Sequence, residues 1–276
     1  MTALELAGPG IYDAIPEDQY HGHKGSLSVS GAKKLLPPSC PAIYKHQLDH
    51  GQPPRREFDF GHAAHARVLG VGADIVVVDA ADWRTKAAKE AAEAARAEGK
   101  VPLLPQEATQ VDGMAAALAE HPVASALLQA EGGLAEQSLF WLDEAHGVMR
   151  RARLDWLAGR VIADYKTCQS AEPSAVSRAM ASYGYHMQAD WYREGVVRLG
   201  LVEDPLFVLI FQEKTAPYVV TVVEPDGEAL RIGRQRNEQA LRIYAQCVAT
   251  DTWPGYATDV ELIGLPKWAT YLEGVA

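Results

Sequence analysis

Residues 147–167, GVMRRARLDWLAGRVIADYKT, have the pattern of two β-strands joined by a tight turn. Arginines alternate with apolar residues before an Ala-Gly-Arg turn, and a short apolar strand follows it. Side chains alternate between the two faces of a strand, so Asp164 and Lys166 share one face. Asp155 lies across the turn, and pairing of the strands would bring its carboxylate close to that of Asp164. We therefore expect two carboxylates beside one ammonium group.

Such a cluster has a limited range of chemical uses. Two carboxylates repel each other, and their close approach is stable when a cation lies between them. Aspartates without histidine or cysteine nearby in the sequence suit Mg2+ or Mn2+ better than zinc. A water bound to such an ion can attack a phosphodiester, and Lys166 would orient that water or neutralise charge. The alternative is a surface strand pair in which Asp164 forms a salt bridge with Lys166 or a neighbouring arginine.

The order of these residues resembles a known motif. Asp155 followed by residues 164–166, DYK, resembles the divided motif of the PD-(D/E)XK nuclease superfamily, in which an acid on one strand precedes acid-x-lysine on the next. Downstream, Gln188 and Tyr192 have the spacing of the QxxxY signature of RecB-like exonucleases. Upstream, residues 61–65, GHAAH, resemble the helix that supplies the metal-binding histidine of that subgroup. Three separate elements in this order are far more specific than one.

Both ends of the chain extend the resemblance. GIYDAIPEDQYH and LSVSGAKKLL near the N-terminus, and WPGY and LPKWA near the C-terminus, are similar to the phage and prophage exodeoxyribonuclease VIII family of the RecE type. The resemblance implies a single α/β nuclease domain with a mixed central sheet, of about five strands, flanked by helices. We expect a helical N-terminal part (1–70), a helical insertion at about 82–130, a nuclease core at about 135–250 and a C-terminal tail (251–276).

The resemblance also implies which residues bind the metal. Asp155 and Asp164 would be ligands together with His65, whose imidazole would be neutral. The main-chain carbonyl of Tyr165 would be a further ligand. His62, which lies within one helical turn of His65, is the second choice for the histidine.

Other residues are expected around this centre. Gln188 and Tyr192 lie four apart on one predicted helix, so they would hydrogen-bond a DNA phosphate or support Lys166; packing of an amphipathic helix explains the same spacing. Glu136, at the beginning of the strand predicted at 135–142, is a candidate for a second metal or an exposed strand residue. The candidate DNA-binding arginines are Arg150, Arg151 and Arg153.

Composition limits the class of protein. With 276 residues, 48% of them hydrophobic, the chain can bury one large core or two small ones. It shows no apolar run long enough for a membrane span and no signal-peptide pattern at its N-terminus, so we expect a cytoplasmic protein. The three cysteines lie far apart, which predicts no disulfide framework. No iron–sulfur cluster is expected, since Cas4-like nucleases, which share the QxxxY pattern, hold theirs on four cysteines.

Net charge argues against a purely electrostatic DNA coat. The chain has 26 basic and 36 acidic residues, a formal charge of −10, whereas proteins dominated by phosphate contacts are usually basic. The central hairpin is a local exception, because residues 150–166 contain five basic and two acidic side chains. A nuclease needs its acids at the metal and its bases along the DNA groove.

These features predict a Mg2+-dependent exonuclease, with Mn2+ able to substitute, that acts on the ends of linear double-stranded DNA. The resemblance further implies 5′ to 3′ digestion that leaves a 3′ single strand for a RecT-type annealing protein. It also implies a homo-oligomer in the form of a ring, with a tetramer as the expected count. One alternative is a helicase-associated or Cas4-like nuclease module. The other is an inactive DNA-binding or assembly protein on the same scaffold.

Overall fold

The computed structural model describes residues 8–13, 15–51 and 56–272, whose strands and helices are numbered here along the chain. The strands are β1 (Gly10–Tyr12), β2 (Leu27–Ser28), β3 (Ile75–Val77), β4 (Val101–Leu103), β5 (Leu134–Asp143), β6 (Val148–Ala158), β7 (Val161–Cys168), β8 (Leu206–Glu213) and β9 (Val220–Val223). The helices are α1 (Glu17–Gly22), α2 (Val29–Lys34), α3 (Pro41–His50), α4 (Arg56–Leu69), α5 (Lys86–Ala97), α6 (Pro105–Glu120), α7 (Pro122–Leu128), α8 (Pro173–Tyr183), α9 (Tyr185–Arg198), α10 (Gly227–Thr250) and α11 (Lys267–Leu272). Within this described part of the chain, none of the helices has the length and hydrophobicity of a membrane span.

The predicted hairpin is the centre of a mixed sheet. Strands follow the order β1-β5-β6-β7-β8-β9, with β2 added alongside β6. Strand β6 pairs antiparallel with β5 and β7, and β7 pairs parallel with β8. The predicted fold class, a mixed sheet flanked by helices, is therefore confirmed. The sheet has seven strands where about five were expected, because the short strands β1 and β2 join it within the N-terminal part that was expected to be helical.

The two strands of the hairpin separate partway along their length. Their pairing runs from Ala158 opposite Val161 to Trp156 opposite Ala163 and stops there. Beyond that point β7 continues beside β8, while β6 continues between β5 and β2. A gap thus opens in the sheet next to the end of the paired region, and that gap holds the acids described below.

Helices cover both faces of the sheet. On one face, α2, α9 and α10 pack around a core that includes the buried rings of Trp141 and Trp191. On the other, α4, α6 and α7 enclose a second core with Met114 and Tyr165. Each large side chain buried in this way contributes ~1.5–3 kcal/mol. Residues 82–130, predicted as a helical insertion, therefore supply one layer of the core through α6 and α7, and they also contain β4, which pairs with β3.

Local sequence explains the helices that reach the site. Ser28 caps α2 by accepting a hydrogen bond from the backbone N–H of Gly31. Helix α8 begins with Pro173 and is capped by the side chain of Glu172. It ends at Gly184, whose φ of 65° is left-handed, and α9 begins at the next residue. This junction directs α9 across the face of the sheet.

Arg150 lies inside the protein. Its guanidinium carbon is 3.8 Å from the ring centroid of Trp191 and 4.9 Å from that of Trp141. The same group pairs with Asp143 at 3.2 Å and with Glu194 at 2.6 Å. With 1% of its surface exposed, Arg150 does not agree with the predicted role in DNA binding, because an enclosed guanidinium cannot reach a phosphate outside the protein.

The other two arginines of β6 hold the N-terminal segment against the sheet. Arg151, also buried, donates to the carbonyl oxygen of His23 and to the hydroxyl of Ser26. Its predicted DNA contact is corrected for the same reason. Arg153 donates to the carbonyl oxygen of Ile15 at 2.7 Å, and its side chain is 15% exposed. The alternating arginines of the hairpin therefore fasten the chain, since sequence alone does not distinguish a buried arginine from an exposed one.

Candidate active site

The hairpin places its two aspartates at the gap in the sheet. Asp155 and Asp164 are the residues that follow the last pair, Trp156 opposite Ala163. The backbone N–H of Tyr165 donates to Asp155 Oδ2 at 2.8 Å, so β7 fixes the orientation of the carboxylate on β6. Burial raises the pKa of Asp155, although this hydrogen bond and a nearby ammonium group oppose the effect. The predicted proximity of the two strands at this point is present in the fold.

Helix α4 brings His65 to Asp155. Ala63 and Ala64 are fully buried, and their small side chains allow the helix to approach the sheet closely. His65 Nδ1 lies 3.4 Å from Asp155 Oδ2, and its ring packs edge-on against Tyr165 with centroids 5.1 Å apart. Burial, assisted by a nearby ammonium group, lowers the pKa of His65 to about 4. The imidazole is therefore neutral at physiological pH, which is the form that binds metals.

Glu136 is the third member of this cluster. In the pairing of β5 with β6, Ala135 lies opposite Trp156 and Gln137 opposite Leu154, so Glu136 is level with Asp155. Its φ of 51° is left-handed, a conformation that costs a residue with a Cβ atom ~1–3 kcal/mol. Burial and the charge of Asp155 raise the pKa of Glu136 to about 7. A strained backbone and a carboxylate held beside another are both features that a bound cation would offset.

Asp164 and Lys166 form an ion pair on the side of the sheet that faces α9. Asp164 is 1% exposed, and among the described residues its Oδ1 contacts the Lys166 ammonium and no other hydrogen-bond partner. Burial raises the pKa of Asp164 to about 6 against the opposing effect of Lys166. Burial works to lower the pKa of Lys166, but the carboxylates of Asp164 and Asp155 outweigh it and raise that pKa. Lys166 is consequently a fixed positive charge at the site.

Helix α9 supports Asp164 through two residues of the QxxxY pattern. Gln188 Nε2 donates to Asp164 Oδ2 at 2.6 Å. Tyr192, one turn further along the helix, shares a hydrogen bond with Gln188, and both side chains are buried. Burial raises the pKa of Tyr192 well above its ordinary value, so the phenol stays protonated. The pair thus lies behind the acid, where it orients Asp164.

The donor atoms suit a divalent ion. Among the described residues, one cluster of three metal-ligating side chains has its ligand atoms within 4.8 Å of one another, and it consists of His65, Glu136 and Asp155. Ligands on opposite sides of one ion lie about 4–5 Å apart, so small side-chain movements would let all three coordinate. Carboxylate oxygens suit Mg2+ or Mn2+, whereas an imidazole is also a ligand of zinc and iron, so this set accepts a divalent ion without selecting one. Asp164 adjoins this group but is held by Lys166 and Gln188.

The structure therefore gathers most of the residues singled out in the sequence, and the three-residue ligand cluster contains Glu136 in place of the predicted Asp164. Glu136, which the sequence offered as a candidate for a second metal, joins His65 and Asp155 because of its register opposite Asp155. His62 lies apart from them, with its Nε2 3.2 Å from a carboxylate oxygen of Glu17. Lys33 lies near Lys166. The sequence showed Lys33 only as one of two consecutive lysines and did not indicate this proximity.

Comparison with known proteins agrees with the fold. The family model of a PDDEXK-like domain of unknown function (DUF3799) matches residues 28–266. Among solved structures, the chain is similar to a crystal structure from Eubacterium rectale described as a putative exonuclease. That likeness has a TM-score of 0.63 at 12% sequence identity, covers 97% of this chain and 100% of the other, and concerns the fold. The search of curated proteins gave no match.

Proposed function

This chain belongs to the family of PDDEXK-like domains and has the fold of a nuclease, and we propose that it is a metal-dependent exonuclease acting on linear double-stranded DNA. The observation that carries the proposal is the convergence of His65, Glu136 and Asp155 beside the Asp164–Lys166 ion pair. A protein that only binds DNA has no need to bury two carboxylates and a neutral imidazole around a fixed ammonium group.

The chemistry divides between a metal and the side chains. Bound by His65, Glu136 and Asp155, Mg2+ or Mn2+ would supply Lewis acidity and a water of lowered pKa. Asp164, held by Gln188, keeps the Lys166 ammonium in place. From there the ammonium can orient the attacking water or neutralise charge that develops on the phosphate.

Digestion of end-labelled DNA tests the proposal. We expect the purified protein to degrade linear duplex in Mg2+ or Mn2+, to be inactive in EDTA, and to leave covalently closed circular duplex intact. Asp155→Asn should lower the rate by at least ~1,000-fold. It removes a negatively charged ligand from the metal, and the metal stabilises the charge that develops on the phosphate in the transition state. Hydrolysis of linear duplex at the wild-type rate by Asp155→Asn, or in EDTA, would contradict the proposal.

The polarity and partners are further parts of the proposal, and they derive from the resemblance to the RecE-type family. We propose 5′ to 3′ digestion, a RecT-type annealing protein as the partner that receives the 3′ strand, and a ring-shaped homo-oligomer such as a tetramer. Substrates labelled at one 5′ end or one 3′ end distinguish the two polarities by the order in which label is released. A requirement for ATP and a helicase would instead indicate a helicase-associated module.

A further inference from the structure

A second lysine lies beside the ion pair of the site. Lys33, near the end of α2, has its Nζ 5.6 Å from the ring centroid of Tyr185. Lys166 has its Nζ 5.5 Å from the same ring. Two ammonium groups from separate elements thus lie near one aromatic ring at the first residue of α9. Electrostatic repulsion makes such an arrangement unfavourable unless an anion compensates it.

Lys33 lacks that compensation within the protein. Among the residues that the structure describes, no carboxylate forms an ion pair with it. Burial, followed by the charge of Lys166, lowers the pKa of Lys33 to about 7, and Asp164 only partly opposes this. A partly buried amine with no acidic partner costs stability, and a methionine of similar length would pack in its place without that cost. The amine is therefore suited to an anion from outside the protein.

The α8–α9 junction accommodates the lysine stem. A Cβ atom at Gly184 would lie 3.1 Å from Cε of Lys33 and 3.3 Å from Cδ, closer than ordinary van der Waals contact. Glycine at this left-handed position therefore leaves room for the side chain to extend along the start of α9 toward Tyr185. The direction of the stem is set by packing of the protein itself.

We propose that Lys33 binds a phosphate group of the DNA strand being cut, next to the phosphate at which Lys166 acts. This inference rests on the proposed function, because the anion is taken to be the substrate. The ligand of Lys33 would be a phosphate oxygen. Either a diester of the DNA backbone or a 5′-terminal monoester supplies such an oxygen. Lys33 would then contribute to substrate binding and placement, whereas Lys166 acts at the bond that breaks.

Three variants test the inference. Lys33→Met removes the charge and keeps the length, Lys33→Arg restores a charge, and Lys34→Met removes a charge from the neighbouring position as a matched control. For Lys33→Met we expect KM to rise about 10- to 100-fold, the range for loss of a charge-assisted hydrogen bond. Lys33→Arg should recover part of that loss, and the KM of Lys34→Met should stay within about threefold of wild type.

Duplexes with 5′-phosphate and 5′-hydroxyl ends identify which phosphate Lys33 contacts. If it contacts a terminal monoester, Lys33→Met raises KM only for the 5′-phosphate duplex. If it contacts a backbone diester, KM rises for both duplexes.

A binding assay makes the test independent of cleavage. With Ca2+ in place of Mg2+, fluorescence anisotropy gives the affinity for duplex DNA at several salt concentrations, and Lys33→Met should lower the salt slope by about 1, one phosphate contact. Mn2+ affinity should match wild type, and the thermal midpoint should equal or exceed that of wild type. Unchanged KM and salt slope in Lys33→Met would overturn the inference even if the protein is an active nuclease. Equal loss of Mn2+ binding in that variant would instead show that Lys33 supports the fold of the metal site. If wild type binds DNA without cutting it, the proposed function fails while the salt slope still decides the role of Lys33.

Discussion

Glu136 makes the folded state sensitive to pH in the absence of metal. Its pKa is raised to about 7 by burial and by Asp155, whereas an unfolded glutamate titrates near its ordinary value of about 4.3. Between these two values the folded state holds a proton that the unfolded state has released. The stabilising contribution of this proton is therefore complete below about pH 4.3 and is lost as the pH rises to 7.

Glu136→Gln should remove this dependence. In EDTA, we expect wild type to lose about 1–2 kcal/mol of unfolding free energy relative to the variant between pH 5 and pH 7, after allowance for the exposed part of the side chain. The difference between the two proteins isolates Glu136 from Asp164 and His65, which titrate in the same range. Urea unfolding at pH 5, 6 and 7 measures it, and parallel curves for the two proteins would contradict the predicted ionisation.

Gln188 should affect catalysis through Asp164. Replacement by leucine removes the 2.6 Å hydrogen bond to the carboxylate, and loss of such a charge-assisted bond predicts a 10- to 100-fold fall in kcat, ~1.5–3 kcal/mol. Tyr192→Phe is a control with a smaller expected effect. Tyr192 is hydrogen-bonded to Gln188 and acts on Asp164 through it, so we expect kcat to fall less than about tenfold. Single-turnover kinetics with saturating enzyme separates this effect from binding. Wild-type turnover in Gln188→Leu, with the thermal midpoint unchanged, would show that Asp164 needs no such support.

For single residues, the sequence predicts the members of a motif better than it predicts the other residues that contact them in the fold. Asp155, Asp164 and Lys166 could be placed together because alternation along a hairpin is a local property. Glu136 could not be ranked, because its proximity depends on the register of β5 and on a left-handed backbone. The sequence predicts Arg150 at the surface, because charged side chains are usually exposed. Its burial depends on Trp191 and Glu194, which enclose the guanidinium and come from a helix that is distant in the sequence.

Among the elements, the crossing of α9 and α10 depends on one glycine. A Cβ atom at Gly233 would lie 2.1 Å from the carbonyl oxygen of His186, which is part of the α9 backbone and cannot rotate away. Gly233→Ala should therefore separate the helices and destabilise the protein by ~2–4 kcal/mol. For Gly227→Ala, at the first residue of the same helix, the new Cβ meets no atom of the described residues within 4 Å, so the change should be neutral or stabilising by up to ~1 kcal/mol. Urea unfolding compares them, and equal stability of the two variants would mean that the helices are less closely packed than the structure indicates.

Long periodic elements could be predicted from the sequence, whereas three of the short strands could not. The hairpin strands, α6 and the α8–α9 pair have alternation, proline starts or capping residues that act locally. Strands β1, β2 and β4 have two or three residues each, and they exist because distant partners offer hydrogen bonds. The packing of α6 and α7 on the sheet also depends on distant contacts, so the sequence indicated a helical insertion but not its contribution to the core.

For the whole molecule, the C-terminal segment is the feature that a single chain does not explain. Trp253 is anchored by stacking on Tyr44, with ring centroids 5.7 Å apart. The following segment carries large apolar side chains that are nearly all in solvent: Val260 is 95% exposed, and Leu262 is fully exposed. Further exposed apolar residues of this segment are Tyr256, Ile263, Leu265 and Trp268. Together they could bury roughly 800 Å2, which is the area that each partner contributes to a standard interface.

We expect this segment to pack against a second copy of the chain, which supports the proposed homo-oligomer. Sedimentation equilibrium should show an oligomer for wild type, and a double change, Leu262→Ser with Ile263→Ser, should weaken its association at least ~10-fold, because burial of each aliphatic side chain contributes ~1.5–3 kcal/mol. The matched control changes the intervening acids of the same segment, Asp259→Ser with Glu261→Ser, and should associate like wild type. Since the altered apolar side chains contact solvent in the single chain, the thermal stability of the dissociated variant should equal that of dissociated wild type. A monomeric wild type at tens of micromolar, or equal association of both double variants, would exclude this segment as the contact between subunits.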